Sequence, residues 1–342
     1  MQKRQPNFEN LLKILRRDKP DRPTLFEFFL NEDLYESLAD EKVKSSTDDL
    51  RIFRVIISAF KNAGYDYATI PTWHTQTLWF HKNEVEQKSS KSLNEGFVIT
   101  DKKSFNAYDW PDPEVGNYEI YERLAKEVPD GMKLIASTPG GILENAIELV
   151  GYENLCMITL ENEELTQQIF DAIGSRLLRY YEIISPFSAI GAVICNDDWG
   201  FKTQTMFSPE MLRKYVFSWN KKFVEVIHAA NKPAILHSCG NRSEIMNDII
   251  YDIKFDGLHS FEDIISPVEK EWKKHHKQIA ILGGIDMDFL SNSKPEVIKK
   301  RALNLLELTE EEGSYALGSG NSIPKYVPVE NFRAMIEVVN EF

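Results

Sequence analysis

The chain has 342 residues, and its 40 basic and 53 acidic side chains give a formal net charge of −13. An acidic surface disfavours nucleic acid and anionic membranes as partners, because both need a basic footprint. No apolar stretch approaches a membrane span, the N-terminus lacks a signal-peptide core, and the three cysteines are too few for a disulfide framework, so we expect a cytoplasmic protein.

Short apolar runs alternate with long helical patterns along the chain. We predict strands at Pro23–Phe26, Tyr67–Ile70, Lys133–Ala136, Ala192–Cys195, Ala234–His237, Gly257–His259, Ile279–Leu282 and Tyr315–Leu317. Helices are predicted between them at Thr47–Asn62, Gly140–Val150, Asn162–Ile184, Pro209–Ala230, Arg242–Tyr251, Val268–His275 and Pro295–Glu311, with Val329–Val339 last. Helices between consecutive strands require parallel pairing through crossovers.

This alternation predicts an α/β fold, a single (β/α)8 TIM barrel that occupies residues 1–342 as one domain. A doubly wound open sheet is the alternative, but no Gly-x-Gly-x-x-Gly turn follows the first strand. The region Leu78–Trp110 fits a single helix poorly. We predict that it forms a hairpin or lid inserted after the second strand, at about residues 78–110.

The barrel places its active site at the carboxyl ends of the strands, and the residues there are mostly polar. Loops are polar in any barrel, so part of this pattern needs no functional explanation. The candidates for catalysis are Asp197, Asp198 and Asp286. The candidates for substrate binding are Glu27, His74, Trp199, His259 and Asn321.

One pair at these strand ends is typical of a metal site. His237 and Cys239 close the predicted strand Ala234–His237, and alternation directs both side chains the same way, about 7 Å apart along the chain. Nitrogen and sulfur are the ligands that Zn²⁺ favours, so we predict metal binding at this pair. The alternative is that Cys239 is a buried small hydrophobic residue.

The chain resembles the uroporphyrinogen decarboxylase superfamily, including its corrinoid-dependent methyltransferase branch. The motifs that carry this resemblance cover most of the chain: Ser137-Thr-Pro-Gly-Gly141, Asn196-Asp-Asp-Trp-Gly-Phe201 with Ser208-Pro-Glu210, His237-Ser-Cys-Gly-Asn241, Leu282-Gly-Gly-Ile-Asp286, and Ala316-Leu-Gly-Ser-Gly320 with Pro328-Val-Glu-Asn331. The family fold is a (β/α)8 barrel, in agreement with the strand count.

The decarboxylases of this family carry an N-terminal Arg-Gln-Ala-Gly-Arg motif that grips the carboxylates of the substrate. The matching stretch here is Arg22-Pro-Thr-Leu-Phe-Glu-Phe-Phe29, with Glu27 where a cation is needed. A polycarboxylate needs charge-assisted donors, and Asp197 and Asp198 would repel it. Porphyrin decarboxylation is therefore the less favoured reaction.

The methyltransferase branch implies a zinc ion held by a His-x-Cys pair and a later cysteine, and a methyl group delivered by a separate corrinoid protein to a small thiol. His237 and Cys239 match the pair, but Ser319 stands where the later cysteine is expected. Replacement ligands could come from a carboxylate, an imidazole or another thiol: Asp198, His259, Glu262, Asp286 or Cys195.

Several alternatives stay open. Asp197 and Asp198 could orient a metal ligand or the acceptor, or they could cap the N-terminus of the helix that follows them. Trp73, Trp199 and Phe201 could wall the pocket or belong to the core. The chain could also bind a small ligand or a corrinoid protein without catalysis, and its oligomeric state is open, with a homodimer as one option.

Overall fold

In this computed structural model, the described residues are 4–75, 77–83 and 92–342. They form seven strands: β1 (Tyr67–Ile70), β2 (Lys133–Ser137), β3 (Ile190–Asn196), β4 (Ala234–His237), β5 (Gly257–His259), β6 (Ala280–Leu282) and β7 (Tyr315–Ala316). The seven strands make one parallel sheet in chain order. The predicted parallel pairing is confirmed for these strands.

The helices of the described residues surround the sheet. They are α1 (Glu9–Leu15), α2 (Glu32–Leu38), α3 (Glu41–Lys44), α4 (Arg51–Ala63), α5 (Thr72–Thr75), α6 (Lys102–Ala107), α7 (Glu119–Leu124), α8 (Ile142–Val150), α9 (Tyr152–Glu161), α10 (Glu163–Ile184), α11 (Pro209–Met211), α12 (Ser218–Ala229), α13 (Val268–His275), α14 (Met287–Asn292), α15 (Pro295–Thr309) and α16 (Val329–Ile336). Among them, none has the length and apolar character needed to cross a membrane.

Local sequence signals explain where several helices begin. The Asn162 side chain accepts a hydrogen bond from the Leu165 N–H and caps α10, and Ser208 caps α11 in the same way ahead of Pro209. The predicted helix Pro209–Ala230 instead contains a π-helical turn at Leu212–Phe217. The predicted helix Arg242–Tyr251 is replaced by a 3-10 turn at Ser243–Ile245 and a π-helix at Asp248–Ile253.

The predicted first strand, Pro23–Phe26, is reduced to one bridge. Leu25 pairs with Leu317 beside β7 in a parallel orientation. The Phe26 N–H donates to Leu317 O, and the Leu317 N–H donates to Thr24 O, each at 2.8 Å. Pro23 has no N–H with which to extend the ladder, which explains why the pairing is short.

The sheet is curled, so that its two edges approach each other. A side chain of the first strand, β1, bonds to the segment that pairs beside the last strand, β7. The Tyr67 hydroxyl of β1 accepts a hydrogen bond from the Glu27 N–H and donates to the Glu27 carbonyl, both at 2.7 Å. A half-barrel of parallel strands with helices outside is therefore shown, as expected for a TIM-barrel-like fold.

The predicted hairpin or lid is not shown. Residues 76 and 84–91 lie outside the described residues. The described part of the region contains α6 and a stretch in which the Val98 and Ile99 N–H groups both donate to Leu149 O on α8. These bonds attach the stretch to the helix that begins beside the candidate site.

Candidate functional site

A cavity of about 500 Å³ opens at the carboxyl ends of β1, β2 and β3. Its lining includes Thr72 and Trp73 after β1, Ser137 and Thr138 at the end of β2, and Asn196 and Asp198 at the end of β3. Aromatic rings close much of the remaining wall: Phe28, Phe29, Trp79 and Phe80. The cavity therefore occupies the place where a parallel α/β barrel keeps its active site.

Three ligand-type side chains converge beside this cavity. The ligand atoms of Asp198, His237 and Cys239 all lie within 4.8 Å of one another, the one such cluster among the described residues. His237 Nε2 is 3.9 Å from Cys239 Sγ. Asp198 also lines the cavity, so the cluster adjoins the space that a small molecule would occupy.

The backbone holds the two loops of this cluster together. The Cys239 N–H donates to Asp198 Oδ1 at 2.7 Å, and the Trp199 N–H donates to Ser238 Oγ at 3.1 Å. The Gly200 N–H donates to the Cys239 carbonyl at 3.2 Å. Asp198 and Cys239 are thus fixed relative to each other by backbone contacts, in addition to the positions of their strands.

The Cys239 thiol is half-buried and lies among hydrogen-bond donors. Ser260 Oγ donates to Cys239 Sγ at 3.3 Å, and Asn321 Nδ2 donates to it at 3.4 Å. Burial nevertheless raises the pKa of the Cys239 thiol, and the Asp198 carboxylate raises it further, while Arg242 opposes the shift. The thiolate is therefore disfavoured until a cation compensates its charge.

Arg242 is a functional candidate that our reading of the sequence missed. Its guanidinium is buried and donates from Nη2 to the Ser260 carbonyl at 2.7 Å, while Nε and Nη1 find no partner among the described residues. A buried guanidinium with unused donors stabilises negative charge nearby. Its position directly after the His237–Asn241 motif is the signal that could have identified it.

A chain of hydrogen bonds sets the tautomer of His237. The Ser319 carbonyl can only accept, so the His259 Nε2–H donates to it at 3.2 Å and leaves His259 Nδ1 as an acceptor. His237 Nδ1–H donates to that nitrogen at 2.7 Å. The lone pair of His237 Nε2 is then free on the side of Cys239.

Burial keeps both imidazoles neutral, as a metal ligand requires. It lowers the pKa of His259 to about 3 and takes the pKa of His237 well below its usual value. A neighbouring hydrogen-bond partner that fixes the tautomer of a ligand is a regular feature of metal sites. We therefore assign His259 a positioning role, and its predicted role in substrate binding stays a prediction.

We expect His259→Phe to weaken metal binding by about 10- to 100-fold, because His237 Nδ1–H loses its acceptor and the ring loses its fixed orientation. The measurement is competitive zinc titration against a chromogenic chelator. His259→Asn is the matched variant, since its amide oxygen can replace Nδ1 as acceptor and should recover part of the affinity. Equal affinities in wild type and His259→Phe would contradict the positioning role.

Glu27 and Ser319 form a buried pair, and Glu27 is not part of the cavity wall described above. The Ser319 N–H donates to Glu27 Oε1 at 2.7 Å, and Ser319 Oγ lies 2.6 Å from Glu27 Oε2. Ser319 Oγ also contacts the Asn321 carbonyl, which can only accept. A hydroxyl has one proton, so both contacts are satisfied when Glu27 is protonated and donates to Ser319. Burial raises the pKa of Glu27 to about 8, in agreement with this proton count.

We expect the free energy of unfolding to fall as the pH rises from about 5 to 8, in part because of Glu27. The folded chain retains a proton that the unfolded chain, with an ordinary glutamate pKa, has already released, so stability decreases with pH over this interval. Glu27→Gln mimics the protonated acid and should flatten the dependence by a few kcal/mol. Urea unfolding at several pH values measures it. Glu307→Gln, at an exposed glutamate of α15, is the control; an unchanged slope in Glu27→Gln would contradict the protonated state.

Two of the three predicted catalytic acids accept hydrogen bonds from the backbone N–H groups at the start of a helix. Asp197 is buried and accepts hydrogen bonds from the N–H groups of Ile142, Leu143 and Glu144 at 2.9–3.1 Å, so it caps α8. Burial raises the pKa of Asp197 to about 7 against the pull of these donors. Asp286 caps α14 and also accepts from the Asp263 N–H. A catalytic role for either residue stays a prediction; Asp198 is the acid that joins the cluster.

The other predicted residues separate into near and distant groups. Asn321 touches Cys239, as described. Trp199 is fully buried, 4.9 Å from the ring of Phe217, and is a core residue in this structure. His74 packs edge-on against Phe53 at 6.2 Å. Ser319 and the alternative ligands Glu262, Asp286 and Cys195 lie outside the cluster found among the described residues.

Glu144 is the second functional candidate that our reading of the sequence missed. It lines the cavity, and its Oε2 accepts from the Gly141 N–H at 2.9 Å and from Asn196 Nδ2 at 3.2 Å. Burial, followed by the charges of Asp198 and Asp197, raises the pKa of Glu144 to about 8. A carboxyl that titrates near neutral pH in a cavity is a candidate general acid or base. The sequence signal was a glutamate three residues after the helix-starting Gly141.

The fold is similar to that of a methyltransferase from Methanosarcina mazei, with a TM-score of 0.72 at 18% identity over 99% of both chains. Two glycoside-cleaving enzymes match more weakly. A β-1,4-mannanase from the sea hare Aplysia kurodai has a TM-score of 0.46 at 10% identity, over 95% of this chain and 94% of the mannanase. An endo-β-1,4-xylanase from Gloeophyllum trabeum has a TM-score of 0.44 at 12% identity, over 85% of this chain and 92% of the xylanase.

The likeness to the Methanosarcina mazei protein, at this low identity, shows a shared fold and leaves the reaction open. No curated protein sequence matches the chain.

The motifs at the strand ends predicted membership of one superfamily, and that prediction is confirmed. The match extends from before α1 to the last residue of the chain. Because a model of the uroporphyrinogen decarboxylase (URO-D) family matches residues 7–342, the chain belongs to the URO-D family.

Proposed function

We propose that this protein is a metal-dependent methyltransferase that moves a methyl group from a methylated corrinoid, carried by a separate protein, to a small thiol. The observation that carries the proposal is the convergence of Asp198, His237 and Cys239 within 4.8 Å beside a cavity. Membership of the URO-D family and the fold shared with a methyltransferase support it. In this proposal the curled sheet closes as a complete (β/α)8 barrel around the site.

The donor set fits zinc. One imidazole nitrogen, one thiolate sulfur and one carboxylate oxygen make three protein ligands, and catalytic zinc sites commonly keep a fourth position open. The hydrogen-bond chain from Ser319 through His259 leaves the lone pair of His237 Nε2 available. The Cys239 thiol must lose its proton to coordinate zinc, and a bound cation would lower the pKa that burial raises.

When bound here, zinc would lower the pKa of a substrate thiol, so that the thiolate nucleophile is present near neutral pH. Glu144 is the cavity residue that we assign to accept the thiol proton, since its pKa of about 8 lies close to neutral pH. The aromatic wall of Phe28, Phe29 and Trp73 would exclude water from the reacting groups.

The test is methyl transfer from free methylcobalamin to a panel of small thiols, followed under anaerobic conditions by the loss of the methyl–cobalt absorbance. We expect zinc-dependent turnover that is abolished in Cys239→Ser. No turnover with any thiol would contradict the proposal, and the small-ligand-binding barrel without catalysis would then be favoured.

Uroporphyrinogen decarboxylation is the second candidate, because the family carries that name. The cavity opposes it, since its described lining holds four carboxyl groups and a single lysine, whereas a polycarboxylate needs several cations. Formation of coproporphyrinogen at about 1 s⁻¹ or faster, a rate ordinary for enzymes, would favour decarboxylation over methyl transfer.

A further inference from the structure

The cavity beside Asp198 combines an aromatic wall with an excess of acidic groups. Five aromatic rings contribute to its lining: Phe28, Phe29, Trp73, Trp79 and Phe80. Trp73 is 52% exposed and Trp79 is 49% exposed, although tryptophan is usually well buried. Large aromatic surfaces left in contact with water at a cavity are typical of binding sites.

The charged groups of the lining are mostly negative. Among the described lining residues, the acids are Glu95, Glu144, Glu148 and Asp198, and Lys82 is the one base. Lys82 forms an ion pair with Glu148 at 2.5 Å, so its charge is already compensated. Among the described lining residues, acids therefore outnumber bases, and this composition favours a cationic ligand over an anionic one.

Glu144 gives this charge a specific location. It lies in the wall, where its Oε2 accepts from two donors that carry no charge, the Gly141 N–H and the Asn196 amide. Burial raises the pKa of Glu144 to about 8, and a cation bound beside it would lower that pKa and favour the carboxylate. The carboxylate and the aromatic faces favour the same kind of ligand, since the face of an aromatic ring also attracts cations.

We propose that the cavity binds a small ammonium-bearing compound, and that the substrate of the methyl transfer carries a quaternary or protonated ammonium group. The reaction part of this inference rests on the proposed function, whereas the cation site does not. In this arrangement the exposed rings of Trp73 and Trp79 contact the ammonium group, and the Glu144 carboxylate compensates its charge before it accepts the thiol proton. The reacting end of the substrate reaches Asp198, His237 and Cys239.

Isothermal titration with three probes of similar size tests the cation site. The probes are choline, its uncharged isostere 3,3-dimethylbutan-1-ol, and propane-1-sulfonate. At about 0.15 M salt, which screens non-specific surface attraction, we expect choline to bind about tenfold more tightly than the isostere, because the two differ in charge rather than shape. Propane-1-sulfonate should bind most weakly of the three.

Variants identify the residues responsible. Trp73→Leu, Trp79→Leu and Glu144→Gln should each reduce choline affinity by about three- to tenfold and leave the affinity for the isostere largely unchanged. Tyr251→Leu removes an aromatic ring that is 62% exposed and lies outside the cavity lining, so it should not affect choline. Equal affinities for choline and the isostere, or tighter binding of the sulfonate, would overturn the inference.

The experiment separates this inference from the proposed function. Choline has no thiol, so its binding should persist in protein treated with a chelator. Choline binding without methyl transfer would retain the cation site and reject the methyltransferase. Methyl transfer to thiols, with no preference for choline over its isostere, would retain the methyltransferase and reject the cation site.

Discussion

Cys239→Ser is expected to reduce the zinc content of metal-reconstituted protein from about one equivalent per chain to near zero. The serine hydroxyl is a poor zinc ligand at neutral pH, and the two remaining donors, Asp198 and His237, do not form a complete site. The loss of affinity should exceed the 10- to 100-fold that follows from removing a supporting residue. His237→Ala should have an effect of the same size.

Cys195→Ser is the matched control for this experiment. Cys195 is a buried cysteine at the end of the neighbouring strand β3, and its thiol interacts with Tyr181 of α10, away from the cluster. It should retain the zinc content of the wild type. Elemental analysis after gel filtration gives the measurement, and equal zinc in wild type and Cys239→Ser would falsify the metal site.

The pH dependence of zinc affinity provides an independent readout of the same site. Cys239 must lose its proton to coordinate, and burial has raised the pKa of its thiol, so zinc binding releases a proton over the neutral range. Affinity should therefore fall as the pH falls. In Cys239→Ser, any residual affinity should depend less on pH over this range.

Gly240→Ala is expected to destabilise the protein by about 3 kcal/mol or more and to disrupt the metal site with it. Gly240 has a φ of +84°, which costs an alanine about 1–2 kcal/mol. A Cβ at this position would also lie 2.0 Å from the carbonyl oxygen of Gly200, so the backbone must move. Such overpacking adds about 1–3 kcal/mol.

Gly64→Ala separates these two contributions. Gly64 has a similar φ of +97°, but its nearest neighbour to an added Cβ is a flexible arginine side chain at 3.4 Å, an ordinary contact. It should show only the cost of the backbone conformation. Urea unfolding measures both variants, and a similar loss in the two would contradict the role of the close approach between residues 200 and 240.

The sequence alone determined where several strands and helices begin and end, and which residues of one element share a face. The runs that became β1 and β4 have the predicted bounds, and α13 begins and ends at the predicted residues. Asn196 and Asp198, two residues apart at the end of β3, both line the cavity, as the strand period requires. These properties depend on the strand period of two and on local capping, which neighbouring residues decide.

Contacts between distant segments were decided by the tertiary structure. Asp198 and Cys239 meet because backbone hydrogen bonds join two loops about 40 residues apart. Ser319, which stands where a third thiolate was expected, bonds to Glu27, 292 residues away along the chain.

The predicted catalytic acid Asp197 caps α8 instead of facing the cluster, because the start of that helix packs against the end of β3. A sequence lists which donors are available. Which of these donors converge depends on the strand register and on which buried polar groups hydrogen-bond to each other.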